Sequence, residues 1–351
     1  MNSVFYRKKP IIGLEFSRTG IRLASIDREK MQINGYGSIE LDPSKVLDDL
    51  DASRDYILQH LGKLTSEKIT GKLASNRVVL GVPTVKTFAR TFTLPAKQES
   101  QIKQAVNLEV EQYIPMPLDN LYVDHLVIDK TKEQLTVLMC AVPKKYIDDL
   151  VSILKEFGLE VAMIEPSIYA SARLLEYTKE GGLPMVIIDI GPGDTDIAVF
   201  DKVVRVTGGL NIGGNTFTLD IAKKMDLTLE NAHQLKVLSG LNPGPRQAKV
   251  SAALRPSLLK MASETKKIIR FYVDRFPEAA KLEQVLIVGS GSNVPGLGEF
   301  FTNELVMPVR VASPWRSINF SGDSQPTKNV RARLATASGL AIVDPRETTS
   351  R

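Results

Sequence analysis

Short apolar blocks recur at two distant places in the chain, and the two places match each other. Residues 11–16 and 21–26 are apolar runs of strand length separated by Ser17-Arg18-Thr19-Gly20, the pattern of a β-hairpin. Residues 186–190 and 195–200 repeat it around Gly191-Pro192-Gly193-Asp194. At an offset of 174 residues, Glu15 falls on Asp189, Ser17 on Gly191 and Leu23 on Ile197. Such repetition predicts two halves, each opening with a strand–turn–strand whose tip is acidic and small.

Between the hairpins the periodicity changes. Residues 85–93 read as a strand closed by Pro95, and residues 99–114 as a helix with Ile102, Val106, Val110 and Tyr113 on one stripe, stopped by Pro115 and Pro117. Strands at 122–128 and 135–142, a helix at 145–157 ended by Gly158, and a strand at 159–164 follow. The order β-α-β-β-α-β is that of ferredoxin-like units and predicts an inserted subdomain. After the second hairpin a helix starts near Thr216, a largely helical stretch runs to about Phe276, and residues 285–288 form an apolar strand. A small-residue helix at 332–341 is expected to close the second half, with a polar tail from Asp344. The predicted plan is a first lobe at 1–83 and 166–185, an inserted subdomain at 84–165, and a second lobe at 186–351 with a helical part at about 222–280.

The turns carry the candidate chemistry. A phosphate chain needs backbone N–H donors at close range, small residues that permit the approach, and an acid to hold Mg2+ through water. The stretch from Asp189 through Gly191 and Gly193 to Thr195 supplies each part. Gly289-Ser290-Gly291-Ser292 follows a buried strand and precedes a helix, so it can pass under a flat base or offer amides to an anion. Gly213-Gly214-Asn215 is a third such turn. Each alone is also what backbone geometry requires without any ligand. Three in this order on a duplicated framework favour a nucleotide. Rossmann and P-loop glycine spacings are absent. No nucleophile–base pair can be placed by spacing, so no catalytic residue is assigned. Asp194 and Asp196 read as solvated turn and edge-strand residues, and His233 as a helix-surface residue.

Composition narrows the class. The 351 residues, 43% hydrophobic and 24% charged, are ordinary for a globular chain with more than one core. Lys and Arg total 45 against 40 Asp and Glu, a net +5, and the basic residues alternate with acidic ones along the chain. That predicts a mixed solvated surface; a nucleic-acid footprint would need a one-sided patch. The single Cys140 lies in an apolar run and reads as a core thiol. His60, His125 and His233 share no metal-ligand spacing. No apolar run approaches the roughly 20 residues of a membrane span. Arg7-Lys8-Lys9 opens like a signal peptide, but Glu15 and Arg18 interrupt the apolar stretch, so a cytoplasmic protein is expected.

The two hairpins and the glycine turn together resemble the actin, Hsp70 and sugar-kinase superfamily, with phosphate hairpins at 13–23 and 189–197 and an adenosine turn at 289–292. The resemblance covers nearly the whole chain. It implies a two-lobed, actin-like (ribonuclease H-like) α/β ATPase fold around a nucleotide cleft, with the inserted subdomain. The stretch Glu109-Val110-Glu111-Gln112-Tyr113-Ile114-Pro115-Met116-Pro117-Leu118 is similar to one that the PilM family of type IV pilus assembly proteins carries in this subdomain. Asn211-Ile212-Gly213-Gly214-Asn215 and the block from Val285 through Ser292 to Leu297 resemble two further blocks of that family.

This resemblance implies ATP or ADP with Mg2+ as cofactors. The implied nucleotide contacts are Ser17, Arg18, Thr19 and Arg22 in the first hairpin. In the second half they are Gly191, Gly193, Thr195, Gly213, Gly214, Asn215, Lys236, Gly289, Ser290, Gly291 and Ser292. Glu15 and Asp189 would hold Mg2+ through water. The family's first hairpin usually has Asp and Gly where this chain has Glu15 and Ser17. Ser17 obstructs close approach if its φ is positive, and Arg18 and Arg22 supply compensating charge. Relatives also carry a Glu at the position of His233, the second residue of the stretch from Ala232 to Lys236, of which this chain keeps Lys236. ATP binding is therefore expected, with weak or absent hydrolysis.

The implied role is a scaffold on the inner membrane that docks the N-terminal cytoplasmic tail of a PilN-like single-span protein and meets other pilus platform proteins. No nucleic acid and no direct membrane insertion are expected, and self-association stays open. Tyr113, Ile114 and Pro115 are the candidate partner contacts. An FtsA-like filament protein of cell division and a small-molecule kinase of the same superfamily are the alternatives.

Overall fold

The computed structural model describes residues 10–242, 244, 247–322 and 326–344. The Arg7-Lys8-Lys9 start and the tail beyond Asp344 lie outside the described residues. In chain order the first elements are β1 (Ile12–Ser17), β2 (Gly20–Asp27), β3 (Gln32–Glu40), α1 (Arg54–Glu67), β4 (Ile69–Gly71) and β5 (Arg77–Val82). Next come β6 (Phe88–Pro95), α2 (Ile102–Tyr113), β7 (Leu121–Lys130), β8 (Gln134–Pro143), α3 (Lys144–Glu156), β9 (Glu160–Pro166) and α4 (Ser167–Tyr177). The second hairpin opens β10 (Met185–Ile190), β11 (Thr195–Asp201), β12 (Val203–Leu210), α5 (Gly214–Met225), α6 (Leu229–Leu238) and α7 (Gln247–Arg275). The chain ends with β13 (Gln284–Val288), α8 (Leu297–Leu305), β14 (Val309–Val311), β15 (Asn319–Phe320), α9 (Lys328–Arg333) and α10 (Ala335–Ala341).

These elements fall into two units: the described parts of 1–83, 148–180 and 313–351, and residues 84–147 with 181–312. The first unit has one sheet in the order β15-β3-β2-β1-β5-β9, with β4 paired to β3. β1 runs antiparallel to β2 and parallel to β5. Helix α1 turns Ile57, Leu61 and Leu64, spaced as one helical face, into the core.

The second unit has a five-stranded sheet, β12-β11-β10-β13-β14, in which β10 is antiparallel to β11 and parallel to β13. The hairpin-then-parallel pattern of the first unit is thus repeated at the level of pairing. Its core joins Val186, Ile188 and Ile197 of the sheet to Phe217 and Ile221 of α5, Leu254 and Leu258 of α7, and Phe301 of α8. A separate three-stranded sheet, β6-β8-β7, is covered by α2 through Ile102, Val106 and Val110.

Two expectations change. The β-α-β-β-α-β order is present, but its last strand, β9, pairs parallel with β5 in the first unit's sheet and leaves the small sheet three-stranded. β9 is the end strand of that sheet, and its apolar run at Val161, Met163 and Ile164 is half-buried there. The final helix, expected to close the second half, packs instead on β1 of the first unit. Gly13 makes room for it, because a Cβ there would overlap the Ala337 carbonyl, and Gly339 does the same against the Ala170 carbonyl on α4. Ala24, Ala337 and Ala341 form one small buried cluster, and Ile11, Val79, Ala170, Leu340 and Val343 another. Small residues let helix and strand backbones come this close.

Candidate functional site: a glycine turn cluster and an apolar groove

In the second unit the predicted turns converge. The hairpin tip closes with the Gly191 N–H donating to the Asp194 carbonyl at 2.9 Å. The first amides of α5 then donate back to the tip, Gly214 to the Gly191 carbonyl (2.9 Å) and Asn215 to the Pro192 carbonyl (2.8 Å). These amides would otherwise lack partners, and they seat the helix N-terminus on the hairpin. Gly213 is required here, since a Cβ would strike Gly191 and Pro192. The Thr195 hydroxyl donates to the Ile212 carbonyl at 2.7 Å and ties the second strand to the same turn.

Lys236, from α6, is buried and donates to the Gly214 carbonyl and the Thr218 hydroxyl, both at 2.8 Å. Gly289 has φ +86°, and a Cβ on it would meet the Asp189 carboxylate and the Ile190 carbonyl. Gly291 lies against Ile190, and a Cβ on Gly214 would come within 3.5 Å of its Cα. Ser290 continues the turn, and the Ser292 hydroxyl caps it by donating to the Gly289 carbonyl at 2.7 Å. The structure therefore brings together Asp189, Gly193 and all the second-half turn residues with Lys236. His233 is exposed on α6, as expected of a surface residue.

Asp196 corrects the sequence reading. β11 is an inner strand between β10 and β12, so Asp196 is buried rather than solvated at an edge. It sits directly across the ladder from Asp189. Its Oδ2 accepts from the Thr84 hydroxyl at 2.7 Å and from the Thr84 N–H at 3.4 Å, while no described group donates to Oδ1. Burial first, and then the charge of Asp194, pushes this carboxyl well above the usual carboxylate range.

The first hairpin, described within its own unit, is built differently. Glu15 faces Arg22 across β1 and β2, the register position that pairs Asp189 with Asp196 in the second hairpin. Arg22 is buried and its Nη1 donates to Glu15 Oε1 at 3.2 Å. Ser17 is not among the residues with positive φ, so the expected obstruction does not arise. Its hydroxyl lies 3.1 Å from the Thr19 hydroxyl and 3.3 Å from the Gly20 carbonyl, to which it donates, closing the turn. Arg18 points elsewhere and donates to the Pro43 carbonyl at 2.9 Å.

A groove of about 640 Å³ opens beside the second hairpin, within the second unit. Its walls come from β6 and β12, each the outermost strand of its sheet, and from α7. Val85, Phe88, Tyr113 and Phe271 line it and are 39%, 36%, 46% and 45% exposed, unusual for side chains of this size. Its basic lining residues are Arg90, Arg205 and Lys267, and none of its lining residues is acidic. The Arg90 guanidinium stacks 3.3 Å from the Tyr113 ring centre and its Nε donates to Glu109 at 3.3 Å.

Of the predicted partner residues, Tyr113 and Ile114 line the groove, Ile114 mostly buried in the α2 core; Pro115 is exposed and does not line it. Sequence reasoning missed Thr84, Phe88, Arg90, Asp196 and Phe271. Only Phe88 and Phe271 carry a sequence signal, as large apolar residues outside the predicted core stripes.

No group of three or more His, Cys, Asp or Glu is placed to enclose a metal among the described residues, and no described helix is long and apolar enough to cross a membrane. Across its length the chain is similar to several known proteins. The FtsA cell division protein of Borreliella burgdorferi is 24% identical over 214 residues, 55% of this chain and 51% of that protein, so the chain spans about half the length of this relative. The solved PilM-PilN type IV pilus biogenesis complex superposes with a TM-score of 0.79 at 21% identity, over 96% of this chain and 98% of the other. MreB5 of Spiroplasma citri bound to ADP gives 0.56 at 12% identity, over 98% and 99%. These likenesses establish the actin-like ATPase fold. The family model for type IV pilus assembly protein PilM matches residues 13–344, nearly the whole chain, and the chain belongs to that family.

Proposed function

We propose that the protein is a nucleotide-binding docking scaffold of a pilus assembly platform, held at the inner membrane by the N-terminal tail of a PilN-like partner. The tail occupies the groove between β6 and β12 as an extended segment. The observation that carries this reading is the groove itself, with four half-exposed apolar side chains beside two outermost strands. Extended peptides gain affinity from main-chain bonds to such strands and from side-chain pockets. The complex of a fold relative with its PilN agrees with it.

The turn cluster takes ATP or ADP. Four glycines clear the backbone around the tip, and a relative of the same fold binds ADP. Asp189 and Asp196 fit a cation carried by the nucleotide, since Asp196 Oδ1 is buried and accepts no hydrogen bond from a described group. With no three-ligand enclosure among the described residues, these acids would act on Mg2+ through water, which suits an ion that dehydrates reluctantly. Bound Mg2+ would neutralise phosphate charge; the chain's own contribution is to hold the tip and orient the two carboxylates.

The test is anisotropy titration of a labelled PilN N-terminal peptide against the full chain, with and without Mg-ATP. Binding that Phe88→Asp weakens at least tenfold is expected. A peptide that binds the variant as well as the wild type would remove the groove from the reading.

A further inference from the structure

We propose that the outward face of α7 is a docking surface for an anionic lipid bilayer. The helix carries seven Lys and Arg against Glu264 and Asp274, so its net charge equals the +5 of the entire chain. The sequence reading of evenly mixed charge is thereby revised: in space the surplus is gathered on one helix. The inner face of α7 is fixed in the core by Leu254, Leu258, Met261 and Ile268. It cannot roll over or insert, and what it offers outward is charge.

Part of that charge is neutralised locally. Arg255 and Lys266 reach Glu304 at 3.6 and 3.7 Å, and Lys267 reaches Glu264 at 3.0 Å. Lys249, Lys260, Arg270 and Arg275 are exposed and make no ion pair among the described residues. Leu259, Phe271 and Val273 stand exposed between them at 37%, 45% and 55%. Cations interleaved with apolar side chains match the boundary between lipid headgroups and acyl chains. A nucleic-acid duplex rewards the cations alone.

Position supports the same occupant. Lys267 and Phe271 also line the groove, so the helix continues that wall outward. This last point rests on the docking reading: a tail leaving the groove for a membrane anchor would bring α7 down to the bilayer. Basic residues near an anionic surface each strengthen binding roughly fivefold, within a Debye length.

The experiment is co-sedimentation of the full chain, without any partner peptide, with vesicles of phosphatidylcholine alone or mixed equally with phosphatidylglycerol. The expected result is binding to the mixed vesicles only, weakened by salt and reduced roughly a hundredfold in the Lys249→Glu, Lys260→Glu, Arg270→Glu triple variant. The Lys249→Arg, Lys260→Arg double control should bind as the wild type does. Peptide titration of the triple variant reports folding and groove docking separately. The proposal is overturned by absence of binding at low salt, by equal binding to neutral vesicles, by an unaffected triple variant, or by duplex DNA displacing the vesicles.

Discussion

Thr84, the first residue of the second unit in chain order, donates its hydroxyl to Asp196 at 2.7 Å, and the same residue lines the groove. One side chain thus touches both the second hairpin and the groove. Thr84→Val keeps the shape and removes the donor, leaving Asp196 Oδ2 with only the 3.4 Å N–H contact. A buried acceptor stripped of its partner costs about 1–3 kcal/mol. Urea unfolding of the ligand-free chain at neutral pH should show that loss, and nucleotide affinity should fall with it; unchanged stability would mean the bond contributes nothing in solution.

Asp196 also predicts a pH dependence. Its carboxyl is raised above the 3.8 of the unfolded chain, chiefly by burial. Below 3.8 both states are protonated and the group is neutral to stability; between 3.8 and the raised folded value the unfolded chain ionises while the folded carboxyl stays protonated, so stability falls across that window and levels off above it. Asp196→Asn should therefore stabilise the ligand-free protein at neutral pH, with the gain fading to nothing in acid. The same variant should lose the stabilisation that Mg-ATP gives the wild type. Thermal melts across pH, with and without Mg-ATP, read both signs.

Gly289→Ala is expected to be severe. The position has φ +86°, which costs a side chain roughly 1–2 kcal/mol, and the added Cβ would also overlap the Asp189 carboxylate. Loss of nucleotide binding in titration calorimetry should accompany a clear fall in Tm. A variant that folds and binds as the wild type does would show that the 289–292 turn adopts another conformation.

How much of this was legible in the sequence differs by feature. The hairpins were, because two short apolar runs around a small polar turn are a local signal, and the offset of 174 residues put Glu15 and Asp189 at the same register position. The burial of Asp196 was not, because its partner Thr84 lies 112 residues away. The small residues of 332–341 announced close packing without saying against what; the answer is Gly13, near the other end of the chain. The groove is assembled from five separated stretches, and only Tyr113 and Ile114 were found, through a motif rather than through geometry.

Arg22 and Glu15 offer a test of the first hairpin. Arg22→Met removes the cation of a buried pair while keeping bulk; breaking such pairs costs about 3–5 kcal/mol, and Glu15 has a further partner that softens the loss. A destabilisation of about 2–3 kcal/mol, measured by denaturant unfolding, is expected. If Arg22 instead serves nucleotide alone, stability would be unchanged and only affinity would drop.

The placement of α10 on β1 also sets the order in which the protein can be made. Every residue of the second unit precedes Ser313, so that unit can close while the chain is still growing. The first unit cannot. Its opening strand waits at Gly13 for Ala337, and at about 5–20 residues per second the interval lasts tens of seconds. Until then the apolar surface of Ile11, Val79 and Ala170 lacks the cover that Leu340 and Val343 give it. A chain clipped or stalled before α10 would present that bare face to chaperones and proteases, so closure of the first unit reports that synthesis has passed this helix.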